Sequence, residues 1–315
     1  LNRMANEGVY FTNCYGNSYR TDRGTVSILS GYPSFPTISV MKIPSKSRTL
    51  PSIARCLTKE GYATDFLYGG DIDFTNMRSY LLSTGYQHIF SKENYTAAEQ
   101  KTSKWGVRDE ITFETLYNNI IHRKNTPWLS TFLTLSSHEP WVVPIHRSSD
   151  ERLNAFAYLD DCIGHFINRI KKSPQWKNML VIFLPDHGIK FENIEETDQL
   201  RNHIPMIWTG GAIKKARRVN QICNQSDLPA TLLGQLGIKH HEFTFSRDVM
   251  SSNYVYPFAV HTYSDGISTV DITGFTVYDL NSKKAIVGVP SHNQHREDLG
   301  KAVLQTAGKD LKNRK

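Results

Sequence analysis

Short apolar runs alternate with amphipathic stretches along most of this chain, and that alternation limits the folds open to it. Val9–Asn13, Ala63–Tyr68, Gly85–Phe90, Trp128–Leu135, Met179–Leu184 and Met206–Trp208 have the length and character of strands. Between them, Leu1–Glu7, Arg23–Leu29, Leu50–Lys59, Asn76–Ser83, Arg108–Arg123, Asp150–Lys172 and Leu228–Leu236 have helical patterning. Gly8, Gly61 and Gly237 stand where a helix stop is expected. In Asp150–Lys172 the residues Phe156, Leu159, Ile163, Phe166, Ile167 and Ile170 recur with the helical period, so one face of that helix is buried. Trp128–Leu135 reads as a buried strand and Met179–Leu184 as the most apolar one. Strands alternating with helices predict an α/β fold, a three-layer αβα sandwich around a mostly parallel central sheet.

The pattern changes after about Ser252. Val255–Thr262, Gly266–Thr269, Gly274–Asp279 and Lys284–Val289 read as short strands joined by turns, and Gln294–Ala307 as a terminal helix. The expected organisation is a core over residues 1–252 and a small antiparallel β subdomain with its helix over 253–315, packed on that core.

With 39% hydrophobic and 21% charged residues, the composition excludes collagen, a disordered tail and a disulfide scaffold. The longest apolar run is Met179–Leu184, far short of the roughly 20 residues a membrane helix needs. The net charge of +7 is carried partly by Lys214–Lys215–Ala216–Arg217–Arg218 and by Lys309–Lys315. Such a patch attracts phosphate groups, or it is a solvated basic face. No basic run is interleaved with aromatics, so nucleic acid is not expected as a partner. The four cysteines lack CxxC spacing and do not decide the compartment.

Ligands of open α/β sheets sit at the carboxyl ends of strands, so polar residues directly after strands are the candidates. Leu184–Pro185–Asp186–His187–Gly188 follows the most apolar strand; Asp186 and His187 offer a metal a hard oxygen and an imidazole nitrogen, or they form an ordinary turn. Arg20–Thr21–Asp22–Arg23–Gly24 leads into a helix, where an anion can rest against free N–H groups and Arg20 or Arg23 can grip it. There the plain alternative is Thr21 as an N-cap. His138, in Ser136–Ser137–His138–Glu139–Pro140–Trp141, is an acid–base or substrate candidate, or a loop histidine bonded to the backbone. His203, ahead of Ile204–Pro205–Met206, is a second metal ligand, a substrate contact or a surface histidine.

Taken in order, these segments resemble the sulfatase-like proteins of the alkaline phosphatase superfamily, and most of all the lipoteichoic acid synthase type of phosphoglycerol transferase. The resemblance runs from Asn6–Asn13 to about Asp248. It is carried by Tyr19–Gly24 with Ile28–Pro33, Tyr68–Asp71, Phe74–Met77, Trp105–Glu110, Ser136–Trp141, Asp186–Gly188, His203–Met206 and Asp227–Leu233. It implies Thr21 as nucleophile and metal ligand, Asp186 and His187 as further metal ligands, and His138 as the residue that holds phosphate or protonates the leaving group. Arg23, Asp71, Asn76, Arg78 and His203 are the candidate substrate contacts. The implied cofactor is one divalent ion, Mn²⁺ first, with Mg²⁺, Zn²⁺ and Ca²⁺ as the others.

Gly31 follows Thr21 at the spacing of the sulfatase-type signature. Sulfatases oxidise a Cys or Ser there to an aldehyde; a threonine would give a ketone. An unmodified Thr21 therefore implies phosphoryl transfer: a phosphoglycerol-type headgroup moves from a phospholipid to an acceptor, with a membrane surface as the second partner. Hydrolysis of phosphodiesters or sulfate esters, phosphoethanolamine transfer with a second metal near His203, and a non-catalytic binding domain are the alternatives. The resemblance also implies a strand ahead of Leu1 that ends in a carboxylate ligand, and membrane helices before it. The chain is thus expected to be a piece of a longer, membrane-anchored protein whose domain faces the extracytoplasmic side. Without that strand it is expected to lack a central strand and to bind metal weakly. Phe74–Arg78 lacks the Trp-Asn-Arg contact of the Gram-positive synthases, and Arg78 lies near that place without aligning to it.

Overall fold

The computed structural model describes residues 1–123, 126–191 and 193–315. In chain order the described elements are α1 (Asn2–Glu7), β1 (Val9–Tyr15), α2 (Thr21–Ser30), α3 (Pro44–Ser47), α4 (Ile53–Lys59), β2 (Ala63–Tyr68), α5 (Met77–Ser83), β3 (His88–Phe90), α6 (Asp109–Ile121) and β4 (Trp128–Leu133). Then come α7 (Glu151–Ile170), β5 (Val181–Phe183), β6 (His203–Thr209), β7 (Arg217–Val219), β8 (Cys223–Asn224), α8 (Leu228–Gln235), β9 (Phe258–Tyr263), β10 (Gly266–Asp271), β11 (Gly274–Asp279), β12 (Lys284–Gly288) and α9 (Asn293–Asn313). They fall into two compact units. The first holds Leu1–Glu7, Ala54–Val181 and Thr209–Lys214; the second holds Gly8–Ile53, Ile182–Trp208 and Lys215–Lys315.

The first unit is a parallel three-stranded sheet, β3-β2-β4, with helices. Phe66 and Leu67 of β2 are buried, as are Met77, Tyr80 and Leu81 of α5. The periodic face of α7 packs as its spacing requires: Ile163, Phe166, Ile167 and Ile170 are all buried, and Phe166 meets Phe113 of α6 at 5.5 Å between ring centroids. Trp128–Leu135 departs from expectation. Every residue of β4 is only half-buried, because burial of an apolar strand depends on its neighbours and β4 lies at the edge of its sheet.

The second unit is built on β1. Its sheet runs β5-β6-β1-β7, with β8 also paired to β1. β7 and β8 are parallel to β1 and β6 is antiparallel, so this sheet is mixed. Phe11 and Trp208 pack across the β1–β6 pair with their rings tilted at 48°, 5.4 Å between centroids. The C-terminal strands form a separate antiparallel sheet, β12-β11-β10-β9, as the late sequence pattern predicts. Val303 and Leu304 of α9 cover Val260, Ile267 and Tyr278 of that sheet. Arg296 of α9 is fully buried, with its guanidinium on Thr273, Thr276 and the carbonyls of Val289 and Ser291.

This appendage reaches the residues that precede Thr21. Asn224, at the end of β8, bonds the carbonyl of Tyr15 at 3.0 Å and both backbone groups of Val260 at 2.8 and 2.9 Å. Thr262 of β9 donates its N–H to the Asn17 carbonyl at 2.9 Å. All four cysteines are free and buried.

Candidate active site

In the second unit, α2 begins at Thr21, and the N-cap is Arg20, extended and without a side-chain capping bond. Thr21 is therefore the first helical residue and not the cap. Its half-buried side chain stands at the end where unpaired N–H groups and the helix dipole favour negative charge. Asp22 is buried behind it and faces Arg20 and Lys42, each at 3.8 Å. Arg23 is 9% exposed, its guanidinium lies 5.1 Å from the Tyr19 ring centroid, and its Nε and Nη1 have no protein acceptor among the described residues. An anion would meet those donors.

The Asp186–His187 segment packs directly on this helix. A Cβ added at Gly24 would lie 1.9 Å from the Asp186 carbonyl oxygen, so only glycine lets the two main chains approach this closely. Gly188 has the same role against the Arg201 carbonyl, at 1.8 Å. His187 Nδ1 lies 2.7 Å from the Gly188 carbonyl, which can only accept, so Nδ1 carries the proton. That leaves the lone pair on Nε2, which faces Asp186 Oδ2 at 3.6 Å. Two ligands about 2.1 Å from a tetrahedral ion stand about 3.4 Å apart. The pair therefore fits one divalent cation, and the backbone bond on the other ring nitrogen is the usual support for a metal-binding histidine. No group of three or more His, Cys, Asp or Glu side chains suited to a metal occurs among the described residues. Asp186 and His187 therefore stand as a pair of candidate donors and not as a larger cluster.

His203 opens β6 and is exposed. Its Nε2 donates to the Thr12 carbonyl at 2.7 Å, and its ring stacks on Tyr15 at 5.1 Å. Only Nδ1 remains for a ligand.

The other candidates lie in the first unit, gathered at the carboxyl ends of β2 and β4. Gly69 and Gly106 bring two segments together: a Cβ on Gly106 would sit 2.2 Å from the Gly69 carbonyl oxygen. The Val107 N–H donates to that carbonyl at 2.9 Å. Trp105, just before, packs edge-on against His138 at 5.3 Å and donates its indole N–H to the Glu139 carbonyl. His138 is exposed, with Nδ1 on the same carbonyl at 2.9 Å and Nε2 as its outer nitrogen. Its loop is held by Asp109, fully buried at the start of α6, which accepts the N–H groups of Leu135 and Ser136 at 2.8 and 2.9 Å. Burial raises the Asp109 pKa against those bonds.

Asp71 pairs with Lys92 at 3.2 Å. Arg78 is engaged by Asp73 and Glu93, at 2.8 and 2.9 Å, and the Asp73 hydrogen bond is the main reason its pKa is raised. Asn76 has φ of 65° and follows Thr75 at 58°. A β-branched residue in that region is strained, and such strain gathers at functional sites.

Sequence reasoning missed Gln225 and His261 and gave Asp109 no role. Gln225 is fully buried; its amide N–H groups donate to the carbonyls of Pro185 and Asp186 at 3.1 and 2.9 Å, and its oxygen accepts the Asn17 N–H at 2.7 Å. His261 of β9 is buried, with Nδ1 on the Gly16 carbonyl at 2.8 Å. The only signal for Gln225 was its place directly after a short strand.

This arrangement of sheets is that of the alkaline-phosphatase-like class of α/β proteins. A profile of the Sulfatase family matches residues 1–238, and the chain belongs to that family. Its curated relatives include lipoteichoic acid synthase 2 of Bacillus subtilis, 22% identical over 288 residues that cover 82% of this chain and 44% of that protein. Phosphoglycerol transferase I of Xanthomonas campestris is 23% identical over 221 residues, 64% of this chain and 31% of that protein. The chain thus spans less than half the length of these relatives. Among solved structures, a protein in the alkaline phosphatase superfamily from Vibrio parahaemolyticus superposes with a TM-score of 0.86 at 26% identity, covering 99% of this chain and 80% of that one. The lipoteichoic acid synthase LtaP from Listeria monocytogenes gives 0.81 at 18% identity, covering 99% and 85%.

Proposed function

We propose that this chain is the catalytic part of a metal-dependent phosphotransferase that moves a phosphoglycerol-type headgroup from a phospholipid to an acceptor alcohol, with Thr21 as nucleophile. The observation that carries the reading is Thr21 itself: a half-buried hydroxyl on the first residue of α2, a helix without a side-chain cap, against whose first turn the Asp186 main chain packs. Two of the relatives bear names of the same chemistry, lipoteichoic acid synthase and phosphoglycerol transferase.

In the proposed reaction the Thr21 oxygen forms a bond to phosphorus, and the bond from phosphorus to the diacylglycerol oxygen breaks. The hydroxyl proton goes to solvent, and the departing oxygen takes up one proton. His138 is the proposed donor, on the motif in which it stands. An acceptor alcohol then bonds to phosphorus, its proton goes to solvent, and the Thr21 oxygen leaves and is reprotonated. One divalent cation, Mn²⁺ by preference, would be held by Asp186, His187 and Thr21 and would supply charge that lowers the hydroxyl pKa and polarises phosphorus. The N-terminus of α2 favours the anionic oxygen at Thr21, and Arg23 offers unpaired donors to the phosphate. Asp71, Asn76, Arg78 and His203 complete the proposed substrate contacts.

The proposed setting is the extracytoplasmic face of a membrane. No helix among the described residues is long and apolar enough to cross one. The second reading is hydrolysis, with water replacing the alcohol; membership of the Sulfatase family favours it.

The test is headgroup release from phosphatidylglycerol vesicles with Mn²⁺, together with the intact mass of the protein during turnover. The expected outcome is a covalent adduct on the parent and a loss of about 10³-fold or more in Thr21→Ala, with Thr21→Ser retaining activity. A Thr21→Ala protein that turns over at the parent rate sinks the proposal. Appearance of free phosphoglycerol with alcohol acceptors present would select hydrolysis.

A further inference from the structure

The nucleophile and the metal pair come from strands that are not neighbours. Thr21 follows β1, Asp186 follows β5, and β6 lies between those strands in the sheet. The ladder of backbone bonds therefore does not fix one loop against the other beyond the strand ends. One side chain does. Gln225 stands at the end of β8, which runs parallel beside β1. Its carboxamide reaches across to the Asp186 segment with both N–H groups, at 2.9 Å to the Asp186 carbonyl and 3.1 Å to that of Pro185. Its oxygen takes the Asn17 N–H at 2.7 Å, in the loop that leads to Thr21.

The orientation of the amide is dictated by its partners. Two carbonyls can only accept and an N–H can only donate, so a flipped amide would lose all three bonds. The surroundings reinforce this. The residue is fully buried, and beside it the Ser226 N–H bonds Asn17 Oδ1 at 3.1 Å. The Asp186 carbonyl that Gln225 binds is the one that presses on Gly24 in the first turn of α2.

We propose that Gln225 is a positioning residue that sets the spacing between the nucleophile loop and the Asp186–His187 ligand pair, an inference that rests on the reading of Thr21, Asp186 and His187 given above. It touches no substrate. Through two backbone carbonyls and one backbone N–H it fixes where the ligand pair stands relative to the hydroxyl. Supports of this kind behind metal ligands are typically worth about 10- to 100-fold in metal affinity or activity.

The experiment uses this chain with Mn²⁺ alone as probe in titration calorimetry, and with phosphatidylglycerol vesicles for kcat and KM. Folding is checked by circular dichroism, and the variants are Gln225→Ala, Gln225→His and Thr21→Ala. Folded Gln225→Ala is expected to bind Mn²⁺ about 10-fold or more weakly and to lose kcat with KM little changed. Histidine offers one donor and one acceptor, so Gln225→His is expected to recover part of both losses. If Gln225→Ala does not fold, Gln225→His carries the test, with Mn²⁺ affinity expected to fall below the parent's. The inference is overturned if folded Gln225→Ala, or in its place folded Gln225→His, binds Mn²⁺ and turns over as the parent does. Thr21→Ala separates the two claims: if it keeps full turnover the nucleophile reading fails, whatever Gln225 does. If Thr21→Ala is inactive while Gln225→Ala matches the parent, only the positioning role falls.

Discussion

His261 shows what a buried side chain does for the loop ahead of Thr21. Burial is the main cause that lowers its pKa to about 4; the Gly16 bond opposes this, and the charge of Arg201 adds to it. The ring is therefore neutral in the folded protein at pH 7 and protonates more readily in the unfolded chain. With a depressed folded-state pKa, its contribution to stability is fully present above about 6.5 and is lost as pH falls toward 4. The whole effect is about 3 kcal/mol. His261→Asn keeps a donor for the Gly16 carbonyl and removes the titration. Its urea-unfolding free energy is expected to be lower at pH 7 yet to fall less steeply between pH 6.5 and 4. An equal slope in both proteins would assign the acid sensitivity to other groups.

The same residue-scale contrast explains what the sequence revealed. Thr21 was singled out because it leads into a helix after a strand, and Asp186 and His187 because they lie just beyond an apolar strand, where an open sheet presents its chemistry. Gln225 and His261 were not, because they act on backbone groups far along the chain, at Asn17 and Gly16, and only the finished fold brings them there. Asp109 was quoted within a motif without a role; its partners are the N–H groups of Leu135 and Ser136.

At the scale of elements, boundaries within a few residues followed from period and stop signals. Gly274–Asp279 is reproduced as β11, and Arg108–Arg123 as α6 with trimmed ends. What period cannot supply is the neighbour, which is why β4 proved half-buried and why β6 pairs antiparallel to β1. The approach of α2 to the Asp186 segment is an element-scale contact with a sharp test. Gly24→Ala sets a methyl 1.9 Å from a main-chain oxygen, so one of the two segments must shift. It is expected to cost about 1–3 kcal/mol of stability and to weaken Mn²⁺ binding. Gly164, inside α7, has nothing within 4 Å of an added Cβ. Gly164→Ala is expected to stabilise by about 0.5–1 kcal/mol through lower backbone entropy and to leave Mn²⁺ affinity alone. Urea unfolding and metal titration of the pair decide it: equal effects of the two alanines would show that α2 and the ligand segment are not in the contact described.

The molecule as a whole carries +7, and part of that charge is displayed rather than loose. Lys214, Lys215, Arg217 and Arg218 are all exposed. Arg217 and Arg218 are held on β7 by its pairing with β1, and the Arg218 guanidinium lies 5.9 Å from the Tyr10 ring centroid. Of the four cations Arg217 and Arg218 lie on the strand, where successive side chains point to opposite faces. Each basic residue near an anionic leaflet is worth about 1 kcal/mol, and the attraction fades within a Debye length of about 8 Å at physiological salt. A phosphatidylglycerol surface is therefore the proposed resting place of this domain, where it would also meet its proposed substrate at high local concentration. Reversal of these four charges to glutamate is expected to weaken binding to phosphatidylglycerol vesicles by about 100-fold or more in co-sedimentation at low salt. The parent is expected to lose most of its own binding as salt is raised and to bind neutral phosphatidylcholine vesicles weakly throughout. Turnover of a short-chain, water-soluble phosphodiester should be unchanged in the reversed variant, because the charges act on encounter with the surface and not on the Thr21 step. Vesicle binding that is the same in the parent and in the reversed variant would remove this segment from membrane recognition.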